Sequence, residues 1–197
     1  MKKTLILILS CIIYQIPLCA QSRYGIGIGL GSSIVHYPKG LSHPESLIVP
    51  TIKLQVEHNV SSSWAGCFEF GFAGQGYKDN EAIVINIEEG IADLTVKQFC
   101  SDLSISAKHD VTPSFFIKAG IYARYLLDSN VTSDNKALPS NRYGKLNKLD
   151  IGPQIAIGEV YDKFFIELSY KYGLLGCYKR VDWYNHNSIL FSIGFYW

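Results

Sequence analysis

The sequence predicts an all-β chain, specifically an eight-stranded antiparallel up-and-down transmembrane β-barrel. Three observations predict it. Side-chain polarity alternates residue by residue through eight segments of roughly ten residues. One face of all eight segments carries no charge, and the connections between them alternate between long and short.

The segments are 23–33, 47–58, 63–77, 94–108, 114–127, 146–158, 163–175 and 187–197. Successive side chains of a strand point to opposite faces, so one parity in each segment defines one surface. In the first segment that surface is Tyr24, Ile26, Ile28, Leu30 and Ser32, and in the second Ile48, Pro50, Ile52, Leu54 and Val56. The third contributes Trp64, Gly66, Phe68, Phe70, Phe72 and Gly74, and the fourth Phe99, Ser101, Leu103, Ile105 and Ala107. The fifth runs over the odd positions from Phe115 to Leu127 and the sixth from Leu149 to Ile157. The seventh supplies the even positions from Phe164 to Leu174, and the last the odd positions from Ile189 to Trp197. These 44 positions hold no charged residue in a chain that is 18% charged. Composition alone would place about eight there.

The opposite parity carries Lys53, Glu57, Glu69, Lys118, Arg124, Asp150, Glu167 and Lys171, four basic and four acidic. A soluble barrel buries its apolar face and wets its charges. A membrane barrel turns the apolar face to lipid and closes the charges inside. The connections decide between them. Residues 34–46, 78–93, 128–145 and 176–186 form long gaps, whereas 59–62, 109–113 and 159–162 form tight ones. Long outer loops alternating with short periplasmic turns are the pattern of outer-membrane barrels, and strands of about ten residues tilted at about 45° cross an apolar band of about 25 Å. Eight strands enclose a space that side chains can fill, so the eight lumen charges are expected to form a network that plugs the barrel. Pro50 and Pro153 fall on otherwise regular strands, and a bulge is expected at each.

The first twenty residues read as a secretory signal peptide: Lys2 and Lys3, an apolar run from Leu5 to Ile13, and a small-residue exit at Ala20. The domains are then 1–20, the signal, and 21–197, the barrel, with export to the outer membrane. The mature part holds 16 basic and 17 acidic residues, a balance that argues against nucleic acid as a partner. Its three cysteines, Cys67, Cys100 and Cys177, cannot all pair; Cys67 and Cys100 allow one bridge across a hairpin, and small apolar filling is the default reading.

Several pieces of the chain resemble the PorT-like outer-membrane β-barrel family. They are Gly25-Ile-Gly-Ile-Gly-Leu-Gly31, Glu69 through Gln75-Gly76-Tyr77, Phe116-Ile-Lys-Ala-Gly120, Asp150-Ile-Gly152 through Gly158, and Phe165-Ile-Glu-Leu-Ser-Tyr170 followed by Gly173-Leu174. The fourth segment departs most, with less regular alternation from Ile83 to Cys100. The resemblance implies an envelope barrel and brings no functional residue set.

Sharper motifs meet blander alternatives. Glycines 25, 27, 29 and 31 recur every second residue, which lacks the Gly-x-Gly-x-x-Gly spacing of a dinucleotide loop. Histidines 36, 43, 58, 109 and 186 show no metal-ligand spacing. His186 and Ser188 share a face, as in the His-x-Ser pair of eight-stranded enzymes that deacylate lipid A, but that face is the lumen or rim and no acid follows. Residues 78–93 carry five acids around an apolar run, a solvated strand extension or an edge for strand addition.

The expected function is therefore a non-enzymatic outer-membrane barrel with a plugged lumen and a structural or surface-interaction role, without a cofactor. The alternatives are an accessory of a secretion or gliding apparatus, from the PorT-like resemblance, and a lipid-A-modifying enzyme. Expected partners are outer-membrane lipid and lipopolysaccharide, the assembly machinery, for which Phe195 and Trp197 are the aromatic signal, and an unidentified protein on either side of the membrane.

Overall fold

The computed structural model describes residues 22–36, 44–82, 92–133, 136–137, 147–175 and 185–197. Eight long strands build it: β1 (Ser22–His36), β2 (Glu45–Asn59), β3 (Trp64–Ala82), β4 (Ala92–Asp110), β5 (Phe115–Ser133), β6 (Leu149–Tyr161), β7 (Phe164–Tyr172) and β8 (Asn185–Tyr196). A two-residue strand, Lys136–Ala137, folds back on the end of β5. Every strand pairs antiparallel with its neighbours in sequence, and β1 also pairs with β8 from Gly25–Tyr196 to His36–Asn185. The sheet therefore closes and has no free edge around the barrel, which is how a strand-built protein satisfies its backbone in lipid.

The faces are the ones that alternation predicts. None of the 44 apolar-face positions is buried. Ile28, Ile105, Ile121 and Ile155 are each about 60% exposed, while Glu57, Lys108, Lys118, Arg124 and Glu167 are buried. Lysines and glutamates inside with isoleucines outside invert the order of a water-soluble protein, and the continuous outer belt is a surface for lipid. Trp64, Phe164, Phe195 and Trp197 ring the belt near the short turns, and Phe99, Tyr125 and Tyr172 lie towards the long connections.

Side-chain oxygens specify two of the short turns. The Trp64 N–H donates to Ser61 Oγ at 3.1 Å, and the Phe115 N–H to Thr112 Oγ1 at 2.9 Å. The third turn, between β6 and β7, places Asp162 in the left-handed region at φ 55°, which aspartate tolerates better than most residues.

Three departures refine the sequence reading. Most strands outrun their predicted ends, above all β3, β4 and β5 at 19 residues each, so 78–82 and 92–93 are strand, whereas β7, at nine residues, falls short of the predicted 163–175 at both ends. Alternation hid the end of β5 because Leu127 bulges. Phe99 faces Asp128 and Cys100 faces Leu126, so the parity of β5 reverses there and Val131 points inward. Pro50 lies in the expected irregularity, a register shift between Ser46 and Thr51 in the β2–β3 ladder. The bulge expected at Pro153 does not form: its pairing with Ile121 sits in an unbroken β5–β6 register. The β6–β7 ladder stops at Gln154–Lys171, one residue short of the proline, so the missing N–H interrupts no rung on that side.

Candidate functional site

The lumen is the candidate site, and the inward positions of all eight strands build it. The short turns lie at one end and the long connections at the other. Counted from the short-turn end, the charged side chains fall into three layers.

The lowest layer centres on Glu57. It accepts from Lys108 Nζ at 2.8 Å, from Arg23 Nη2 and from the Tyr196 hydroxyl at 2.9 Å, and Lys108 also pairs with Asp110 at 3.0 Å. Tyr196 belongs to β8, so this layer ties the two ends of the sheet together across the closure.

The second layer is a four-membered ring. Lys118 lies 2.9 Å from Glu69 and 2.6 Å from Glu167; Lys53 lies 2.5 Å from Glu167 and 3.4 Å from Glu69. Each cation thus touches both carboxylates, and the ring joins β2, β3, β5 and β7. Lys108 and Lys118 are direct rung partners on β4 and β5. Like charges so placed repel, and each is drawn to a different layer of carboxylates. Phe116 lies between them, 4.8 Å and 5.3 Å from the two ammonium groups.

The third layer is Asp102 with two cations. Arg124 Nε and Nη2 hold its two oxygens at 2.7 and 2.8 Å, a fork-to-fork contact. Lys171 adds a contact at 2.8 Å, and Arg124 Nη1 donates to Ser188 Oγ at 3.3 Å. Above it Asp150 accepts from the Tyr122 hydroxyl at 2.7 Å and from the Leu175 N–H at 3.2 Å.

Seven of the eight lumen charges named from the sequence stand in these layers. Asp150 is the exception. It is the rung partner of Arg124 on one side as Asp102 is on the other, yet the guanidinium turns to Asp102 and leaves Asp150 with neutral donors. Three charged members of the network on β4, Asp102, Lys108 and Asp110, were not named from the sequence. All three occupy the even positions of β4, opposite Phe99, Ser101, Leu103, Ile105 and Ala107, so the parity that identified the others also marks them. Arg23, Tyr122 and Tyr196 were missed because nothing local shows which carboxylate an aromatic hydroxyl or a rim arginine will reach.

Cys67 and Cys100 do not share a rung. Cys67 faces Ser106 and Cys100 faces Ala73, six residues apart along the β3–β4 ladder, roughly 20 Å at strand spacing. A disulfide needs Cα atoms within about 7 Å, so both remain free, buried thiols; Cys177 lies outside the described residues. His186, expected in a connection, sits inside β8 and is buried, with both ring nitrogens lacking a hydrogen-bond partner. Ser188 is on the same face, but its Oγ accepts from Arg124, not from His186. Among the described residues, no three of His, Cys, Asp and Glu are grouped to hold a metal ion.

The family model for the outer membrane protein β-barrel domain matches residues 19–177. The chain belongs to this family. Its place in the outer membrane follows from that membership and from the lipid-facing belt described above. Among solved structures, Ail, the attachment invasion locus protein of Yersinia pestis, is similar at 12% identity, over 90% of this chain and 99% of that one, with a TM-score of 0.49. Neisserial surface protein A is similar at 9% identity, over 87% and 96%, with a TM-score of 0.47. OprG of Pseudomonas aeruginosa is similar at 11% identity, over 89% and 96%, with a TM-score of 0.46. No curated protein matches the sequence.

Proposed function

We propose that this family member is a non-enzymatic outer-membrane barrel with a structural or surface-interaction role, whose work is done at its outer surface and loop end. The observation that carries this reading is the filled lumen: three ion-paired layers, tied to every strand but β6, leave no passage for a nutrient-sized solute. The apolar belt meets membrane lipid and lipopolysaccharide, the long connections face outward, and the short turns face the periplasm. The assembly machinery reads β8 through Phe195 and Trp197, whose side chains lie on the outer face. The His186–Ser188 pair supports no hydrolase: both residues are buried in the lumen, away from the lipid ester such an enzyme would cleave.

The test is permeation by a sugar. Proteoliposomes holding the refolded chain should show no swelling with monosaccharides beyond protein-free vesicles, and lipid A from cells carrying the protein should keep its mass. Sugar entry, or a lipid A mass change lost in Ser188→Ala, would overturn the reading. The PorT-like segments favour a second role, as an accessory of a secretion or gliding apparatus, which recovery of such components with the detergent-solubilised barrel would support.

A further inference from the structure

The charge layers do not stack directly on one another. Between the lowest layer and the ring, Gln55 and Ser106 are buried with side-chain polar atoms that have no hydrogen-bond partner. Between the ring and the Asp102 layer, Ser104, Ser169 and Ser192 line a cavity large enough for water, with Asp102 and Lys171 forming its roof. Above the Asp102 layer, Gln75 and His186 line a second such cavity towards the loop end, with Arg124 in its floor. Gln75 Nε2 and both His186 ring nitrogens are buried and unpartnered there. Polar groups buried without partners are costly unless water reaches them. The lumen is thus a column of alternating ion-paired and hydratable levels, running from Arg23, partly exposed at the short-turn end, to the loop end.

The levels differ in how firmly they shut. The ring is neutral, and each of its lysines touches two carboxylates, so an ammonium can swing from one to the other without losing a partner. The Asp102 layer is uneven: one carboxylate draws two cations together, and a water-sized cavity lies on each side of it. Among the described lumen layers it alone combines an excess positive charge with cavities on both faces.

We propose that the lumen is a gated pathway for small inorganic ions, closed at rest by the Asp102–Arg124–Lys171 layer and favouring anions when that layer parts. The pathway is too narrow for the sugars excluded under the proposed function, so the two claims fail separately: sugar entry would refute the plug, and silence to ions would refute the gate.

The full chain, refolded into planar lipid bilayers in potassium chloride, should show rare openings of low conductance. Asp102→Asn removes the group that holds Arg124 beside Lys171, and should raise the open probability about tenfold or more, with chloride preferred over potassium. Lys171→Met keeps the forked Arg124–Asp102 contact and neutralises the layer, so its openings should lose the chloride preference. Heat-dependent gel mobility establishes that each variant is folded. Wild-type and Asp102→Asn bilayers as quiet as protein-free ones would overturn the proposal. If Asp102→Asn does not fold, Lys171→Met decides: the wild-type chloride preference retained in it would overturn the proposal, and its loss would support it.

Discussion

Lys53 on β2 and Glu167 on β7 meet across the lumen at 2.5 Å, although β1 and β8 lie between their strands in the sheet. Together with Lys118 and Glu69 they make a ring that no pair of neighbouring strands could form. Removing one member leaves a buried charge short of its partner, which costs about 3–5 kcal/mol. Glu167→Ala should therefore lower the stability of the folded barrel by that amount, because Lys53 and Lys118 would share Glu69 alone. Urea titration in phospholipid vesicles, read by gel mobility, measures it. A loss below about 1 kcal/mol would mean that lumen water already solvates the lysines.

The outer belt has its own test. Leu168 is 45% exposed on β7, between Ile157 and Phe191 on the flanking strands. Leu168→Arg should cost about 2–4 kcal/mol, as expected for a cation near the bilayer midplane. Tyr161, 84% exposed beside the tight turn, should accept arginine at little cost. Equal effects at the two sites in the same titration would argue against a lipid-facing belt.

Gly194 marks a close approach inside the barrel. A Cβ there would stand 2.2 Å from Phe165 Cζ and 2.3 Å from the Ile26 carbonyl oxygen. Gly194→Ala should therefore destabilise by about 1–3 kcal/mol, the usual range for overpacking. Gly66, on the outer face with nothing within 4 Å, is the control, and Gly66→Ala should fold like the wild type. Refolding yield and urea midpoint compare the two.

The thiols give a covalent check on register. Because Cys67 and Cys100 are six residues apart along the β3–β4 ladder, mild oxidation of the folded protein should leave no peptide linking them by mass mapping. Such a linked peptide would require a register different from the one described.

Much of this fold was legible because a strand repeats every two residues, so parity alone separates lipid from lumen. That rule needs no partner information, and it located seven of the layered charges on β2, β3, β5 and β7. The same rule covers Asp102 and Lys108, at even positions of β4 like their inward neighbours, although the sequence reading did not name them. It failed where the period itself breaks. The Leu127 bulge reverses the faces of β5, and an inward Val131 cannot be anticipated from the residues before it. Pro153 misled for a related reason: a proline harms a ladder only where a rung needs its N–H, and the end of the β6–β7 register depends on β7.

The sequence by itself determined the class of the molecule: eight spans, their two faces, the alternation of long and tight connections, and a charge-balanced interior. These properties are local or additive, so composition and periodicity carry them. Only the tertiary structure decided how the interior charges combine. Arg124 has a carboxylate on each side, on β4 and on β6, yet forks to Asp102 and leaves Asp150 to Tyr122. Lys53 reaches over two intervening strands to Glu167. Both choices depend on closure, which brings distant strands within a side chain's length and excludes enough water that each charge must find its partner inside.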